Sequence, residues 1–211
     1  MSISLLDWRR QVAELYRVVR SNSSPQEAHS QWRARRDELF ATHPASPLPP
    51  AAIGRFSGLP YGPYDSAFRF EVPVDTDLPP RDVTMVSGPE ATVSLRRLGR
   101  VRLGTLGELD LWWLAGYAGG LFLPFTDPST SSYPGGRYVL DTAKGADLGG
   151  DLDPVTQQGS LVVDLNFAYN PSCAYDASWA CPLAPIGNQL LGPVDAGERL
   201  LSPQPGPVEP P

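Results

Sequence analysis

The side chains of this chain best suited to chemistry gather between Leu161 and Pro185, in LVVDLNFAYNPSCAYDASWACPLAP. Asn166, Asn170 and Tyr169 can read the polar atoms of a ligand. Both cysteines of the protein, Cys173 and Cys181, lie here as well. An aromatic, thiol-bearing and amide-rich loop either folds tightly into the body or lines a site. A second group lies upstream, in TDPSTSSYPGGRY. There Gly135 and Gly136 free the main chain for close approach to a ligand, and Arg137 carries a planar fork suited to a carboxylate or phosphate. The competing reading pairs Arg137 with Asp127 or Asp141 at the surface. The loop has neither the lysine nor the helix start of a phosphate-binding P-loop.

On strand parity, Asn166 and Asn170 share a face with Asp164, opposite Leu161, Val163, Leu165, Phe167 and Tyr169. The pattern fits a half-buried strand with a wet face. It also fits a strand that turns Asp164, Asn166 and Asn170 into a pocket, with Arg137 as charge anchor and Tyr169 brought in by a bulge before Pro171. Arg69, on the polar side of an upstream strand, completes the expected ligand-binding set with Gly135 and Gly136. If the pocket turns substrate over, Glu198 or Asp164 would transfer the proton, or Cys173 would attack. A cysteine nucleophile needs a base or a positive field, and neither His29 nor His43 is near in sequence. No CxxC or HxH spacing is present, so no metal is expected, and no cofactor. The cysteines read as free, buried thiols.

Composition narrows the partner. The net charge of −6 disfavours nucleic acid or an anionic membrane as the main partner, because a phosphate-tracking surface needs excess Lys and Arg. No apolar run approaches the ~18 residues of a membrane span. The amphipathic N-terminus lacks a secretory pattern, so a cytoplasmic location is expected. What remains is a small polar or anionic molecule as partner, in a protein that binds it, transforms it, or is purely structural. The oligomeric state is left open.

The elements that must position these groups follow from periodicity. Leu5, Trp8, Val12, Leu15 and Val19 mark one face of a helix. Ser24 before Pro25, with Glu27 three residues after the cap, starts a second helix that runs to about Phe40. Beyond the proline-rich linker the period changes to two, with short strands expected at 68–72, 83–86, 92–97, 101–103, 109–117, 121–125, 138–141 and 161–169. The 24 prolines and 20 glycines favour many turns and a β-rich body. The expected fold is α+β, mainly β: an antiparallel β-barrel or sandwich with two N-terminal helices. The expected division is a helical pair at 1–45, a β-rich domain at 51–200 and a disordered tail at 201–211. The aromatic segment FSGLPYGPYDSAFRF is expected to plug or rim the β-body.

Four blocks carry a family likeness: WRARRDELFATHPASPL, FSGLPYGPYDSAFRF, LFLPFTDPST with YPGGRYVLD, and VVDLNFAYNPSCAYDASWACPLAPIGNQL with DAGE. Together they resemble the domain of unknown function 1684 family, from about Trp32 to Glu198. NPSCAYD with CPLAP is the most specific part. The resemblance implies that Arg137, Asn166, Tyr169, Asn170, Cys173, Cys181, Asn188 and Glu198 are pattern residues. It implies no reaction.

Overall fold

The computed structural model describes residues 3–87, 92–117, 119–156 and 158–201. The proline-rich tail, expected to be disordered, lies outside the described residues except for Leu201.

Two helices open the chain, α1 (Ile3–Ser21) and α2 (Pro25–Thr42). Ser24 caps α2 by accepting from the Glu27 N–H at 3.4 Å, and Pro25 sits in the first turn, where its missing N–H costs nothing. Along the apolar stripe of α1, Leu15 and Val19 are buried, but Leu5, Trp8 and Val12 are only half-buried. A single helical turn, α3 (Pro50–Ile53), follows the linker.

The β-body is two open antiparallel sheets. β1 (Arg69–Pro73), β8 (Gly159–Asp164) and β7 (Gly150–Leu152) form the smaller one, in the order β1-β8-β7. The larger runs β2 (Asp82–Val86), β3 (Thr92–Arg102), β4 (Glu108–Ala115), β5 (Gly120–Phe125) and β6 (Arg137–Asp141) in sequence order. The sheets do not close into a barrel; the arrangement is sandwich-like, with the helices packed on it. Two expected strands, 92–97 and 101–103, are one strand carrying a bulge between Arg97 and Gly99. A side chain at Gly99 would lie 2.7 Å from the Asp75 carbonyl oxygen, so glycine lets the bulged strand touch the Asp75 bridge to Arg100.

Alternation along β4 and β5 feeds two cores. Leu109, Leu111, Leu123 and Phe125 face a cluster shared by both sheets and both helices, including Leu15, Val19, Trp32, Leu161, Val163 and Phe167. Trp112 and Phe122 face the other way, with Leu95 and Tyr138. This explains why β4 and β5 read as continuously apolar. A third cluster, Phe40, Leu48 and Leu59, sits under the linker. The 56–70 segment rims the body as expected: Tyr61 bridges to Glu198, and the Gly62 N–H bonds the Gly197 carbonyl at 2.8 Å.

β8 ends five residues earlier than parity suggested. The Asp164 carboxylate accepts the Asn166 N–H at 3.0 Å and caps a 3-10 turn, Leu165–Phe167. Aspartate competes with the sheet ladder in this way. Alternation therefore stops at Asp164, and Asn166 and Asn170 do not share a strand face.

Candidate functional site

Arg137 is the first expected site residue to be relocated. Its side chain is 1% exposed. Nη1 donates to the carbonyls of Ala196 and Glu198 at 2.7 and 3.2 Å. Nη2 donates to Asp127 and to the Val194 carbonyl at 2.8 and 2.9 Å. Four of its five N–H groups are thus committed to the protein; Nε has no partner. The partner is Asp127, as the competing reading had it, but the pair is buried rather than at the surface. Arg137 stitches β6 to the C-terminal strap 194–198. The neighbouring glycines serve the same packing: a side chain at Gly136 would meet the Phe125 carbonyl at 2.7 Å and Ala184 at 2.9 Å, and Gly136 has φ +92°. At Gly135 it would meet the Tyr133 ring at 2.5 Å. The close approach is by the protein's own loop, so the anion anchor expected at Gly135, Gly136 and Arg137 is corrected to a structural knot.

Asn166 is also structural. Its amide donates to the Asp65 carbonyl and to Asp164 at 2.8 and 2.7 Å, and its oxygen accepts the Asp65 N–H at 2.8 Å. Both sides of the amide thereby pin the 56–70 segment. Asp164 is fully buried and pairs with Arg69 at 3.3 Å; burial raises its carboxyl above the usual range. Arg69 lines an open groove with Arg20, Glu71 and Asp151, away from Tyr169 and Asn170. Asn188, a pattern residue, holds the second core together by donating to the Asp110 and Pro124 carbonyls at 2.9 Å.

Glu198 is fully buried. One oxygen accepts from Arg36 Nη2 at 2.7 Å and the Asn170 N–H at 3.3 Å. The other accepts from the Asn170 amide at 3.1 Å and from the Tyr175 hydroxyl. Burial pushes its carboxyl up, against the pull of Arg36. It positions these partners.

Beside this carboxylate lies a cavity of about 270 Å³ between α1 and the C-terminal loop. Its apolar walls are Leu5, Trp8 and Val12 on one side and Tyr138, Tyr169 and Tyr175 on the other. This accounts for the half-burial of the first half of the α1 stripe. Arg36 projects into the cavity from α2. Its Nε bonds the Tyr61 hydroxyl at 3.0 Å and its Nη2 bonds Glu198. The guanidinium is stacked over Trp32, Phe40 and Tyr169. Among the described residues, no protein acceptor meets Nη1. Asn170 lines the same cavity with its amide oxygen buried and unpartnered, and so does Asp141, whose Oδ1 is buried without a hydrogen bond. The other Asp141 oxygen pairs with Lys144 at 3.4 Å.

Of the expected set, the structure thus brings Tyr169 and Asn170 together at one cavity and sends Arg137, Asn166, Arg69, Gly135 and Gly136 elsewhere. Asp164, Glu198 and Cys173 do not line it; Cys181 does. The sequence reading missed Arg36 and Asp141 as cavity groups. One signal for Arg36 was present: Trp32, Arg36 and Phe40 recur every four residues, which puts a charge in the middle of an aromatic helical stripe. The described residues hold no group of three or more His, Cys, Asp or Glu arranged for a metal, and none of their helices is long and apolar enough to cross a membrane.

Residues 54–199 match the model of a family described as protein of unknown function, DUF1684. A solved structure, the solution NMR structure of an uncharacterised protein from Haloarcula marismortui, is 33% identical, with a TM-score of 0.55 over 79% of this chain and 89% of that one. No curated protein matches. On the family match and on this likeness, the chain belongs to the DUF1684 family.

Proposed function

We infer that the protein binds a small polar or anionic molecule in the cavity between α1 and the C-terminal loop. The observation that carries this reading is a set of uncommitted polar groups at one aromatic-walled cavity: Nη1 of Arg36, without an acceptor among the described residues, and the buried, unpartnered oxygens of Asn170 and Asp141. Buried polar atoms normally have partners, and leaving one unpaired costs about 1–3 kcal/mol. A ligand that supplies the partners recovers that cost. The groove beside Arg69 is larger, about 440 Å³, but more open, and its arginines pair with Asp164 and Asp147.

The cavity groups suggest the chemistry of the ligand. Glu198 holds Arg36 and Asn170 side by side, one with a free donor and the other with a free acceptor. A carboxamide or a protonated carboxylic acid matches that pair; a carboxylate matches the donor. Because Glu198 already neutralises Arg36, a net negative charge on the ligand is not required. Asp141 lies at the other end. Tyr138 pairs antiparallel with Tyr169, so Asp141 and Asn170 fall on opposite sides of that pair, roughly 13 Å of strand apart at 3.3 Å per residue. A hydroxyl or amine at the far end of an elongated molecule would meet Asp141, with its apolar body against Trp8, Val12 and Tyr169.

The test is a thermal-shift panel of small aryl and alkyl carboxamides, carboxylates and their methyl esters. It is run on the wild type and on Ala45→Trp, which places an indole in the cavity. Amides or acids should raise the wild-type Tm, esters less so, and Ala45→Trp should not respond. If no member stabilises the wild type, or if hits stabilise both proteins equally, the reading fails.

A further inference from the structure

Cys173 and Cys181 are the only cysteines in the chain, and both are free. The loop between them folds back so that the Cys173 N–H points at the Cys181 sulfur, 3.4 Å away. Cys173 is half-buried, with its sulfur 3.8 Å from the Tyr133 hydroxyl. Cys181 is buried and forms part of the cavity wall. Two thiols that merely filled space in a core would not need to meet. Here the segment that joins them carries three further wall residues, Tyr175, Trp179 and Ala180.

We propose that Cys173 and Cys181 are a dithiol site that a peroxide oxidises to an intrachain disulfide, locking the loop that walls the cavity. Cys173, the more exposed sulfur, attacks a peroxide oxygen as its thiolate. The O–O bond breaks, one oxygen leaves as hydroxide and takes up a proton to become water, and Cys173 becomes a sulfenic acid. The Cys181 sulfur then attacks the Cys173 sulfur. The S–O bond breaks, the S–S bond forms, and the departing hydroxide takes the Cys181 proton to leave as a second water. Two thiols thus give up two electrons to one hydrogen peroxide. Burial pushes the Cys181 thiol up to about 11, which suits it to the second step, at close range, rather than to the first. The proposal does not depend on what the cavity binds.

The discriminating experiment compares the folded protein with the same chain in urea, because any two cysteines this close in sequence can be oxidised in an unfolded chain. Reduced wild type is treated with one equivalent of hydrogen peroxide, and thiols are counted over time with intact-mass analysis. The folded protein should lose both thiols and two hydrogens with no added oxygen, and dimedone present during the oxidation should trap at least about tenfold less sulfenic acid than in the unfolded chain, since the fold speeds the second step by holding the sulfurs together. In Cys181→Ser, a dimedone adduct should accumulate on Cys173; in Cys173→Ser, little should form on Cys181. Equal or greater trapping of sulfenic acid in the folded protein, sulfinic acid in place of the disulfide, or a disulfide between two chains would overturn the proposal. A predominant adduct on Cys181 would overturn the assignment of the attacking sulfur.

Discussion

Two arginines paired inside the fold, one buried and one half-buried, divide the molecule between a structural knot and the candidate site. Arg137 has four N–H groups on Asp127 and three backbone carbonyls. Arg36 has two of its three nitrogens on Tyr61 and Glu198, and its third faces open space lined by aromatic rings. Arg137 is removed from water and Arg36 keeps 12% of its side chain exposed, and each is neutralised by one carboxylate. They differ in what the surrounding backbone leaves over. The strap 194–198 brings its carbonyls to Arg137 and, with Asp127, occupies both terminal nitrogens, leaving only the buried Nε without a partner. Around Arg36 the neighbours are aromatic faces, which hold the guanidinium without using its donors. An arginine paired inside the fold is therefore a site candidate only when a spare donor faces a cavity.

The comparison can be broken most forcefully at Arg137. Removing it leaves Asp127 buried and uncompensated, so Arg137→Ala should destabilise the fold by about 3–5 kcal/mol. Chemical denaturation of the variant checks this, and a loss below about 1 kcal/mol would return Arg137 to the pool of free anchors. Ligand hits that survive in any folded Arg137 variant would separately show that it does not bind them.

A smaller effect lies at the helix–sheet junction. His29 is 2% exposed, with Nε2 unpartnered and its ring against Trp32 and Phe167. Burial pulls its pKa down to about 4. The folded pKa lies below the unfolded value, so protonation favours the unfolded chain. The stability it protects is present above pH 6.5 and is lost as pH falls from there toward 4, by about 3 kcal/mol. Unfolding free energies measured across that window should fall in the wild type and fall less steeply in His29→Phe, which keeps the ring packing. Parallel slopes would contradict the buried neutral histidine.

The mildest change tests how Arg36 and Asn170 are held. Tyr175→Phe removes one donor from Glu198 while keeping the ring against Phe40. It should cost about 1.5 kcal/mol and weaken cavity ligands several-fold through looser positioning of the pair. Unchanged stability and unchanged affinity together would mean that Glu198 does not depend on Tyr175.

The sequence made the elements legible where one physical rule acted alone. The cap at Ser24, the α1 stripe, and the strands of β1 and β4 to β6 follow from local pattern. The pattern failed where a side chain competed with the ladder. Asp164 caps a turn and ends β8, which dissolves the parity argument that had placed Asn166 and Asn170 in one pocket. The three-residue β7 was missed because Gly150–Leu152 carries no alternation long enough to read. At the site, Tyr169 and Asn170 were readable as unusual polar and aromatic groups in a loop. Their cavity was not, because its other wall is α1, more than a hundred residues away in the chain. Only the fold decides which arginine turns a spare donor toward a cavity.

Five tryptophans make the central claim directly measurable. Trp8 and Trp179 line the cavity, whereas Trp112 is buried in the second core and Trp113 lies on the sheet. Indole N–H resonances of the 15N-labelled protein can be followed while the best carboxamide or carboxylate from the panel is titrated in. The account expects the Trp8 and Trp179 signals to move saturably together, with Trp112 and Trp113 unmoved. Saturable shifts at Trp112 or Trp113 with none at Trp8 and Trp179 would place the ligand elsewhere and contradict the account.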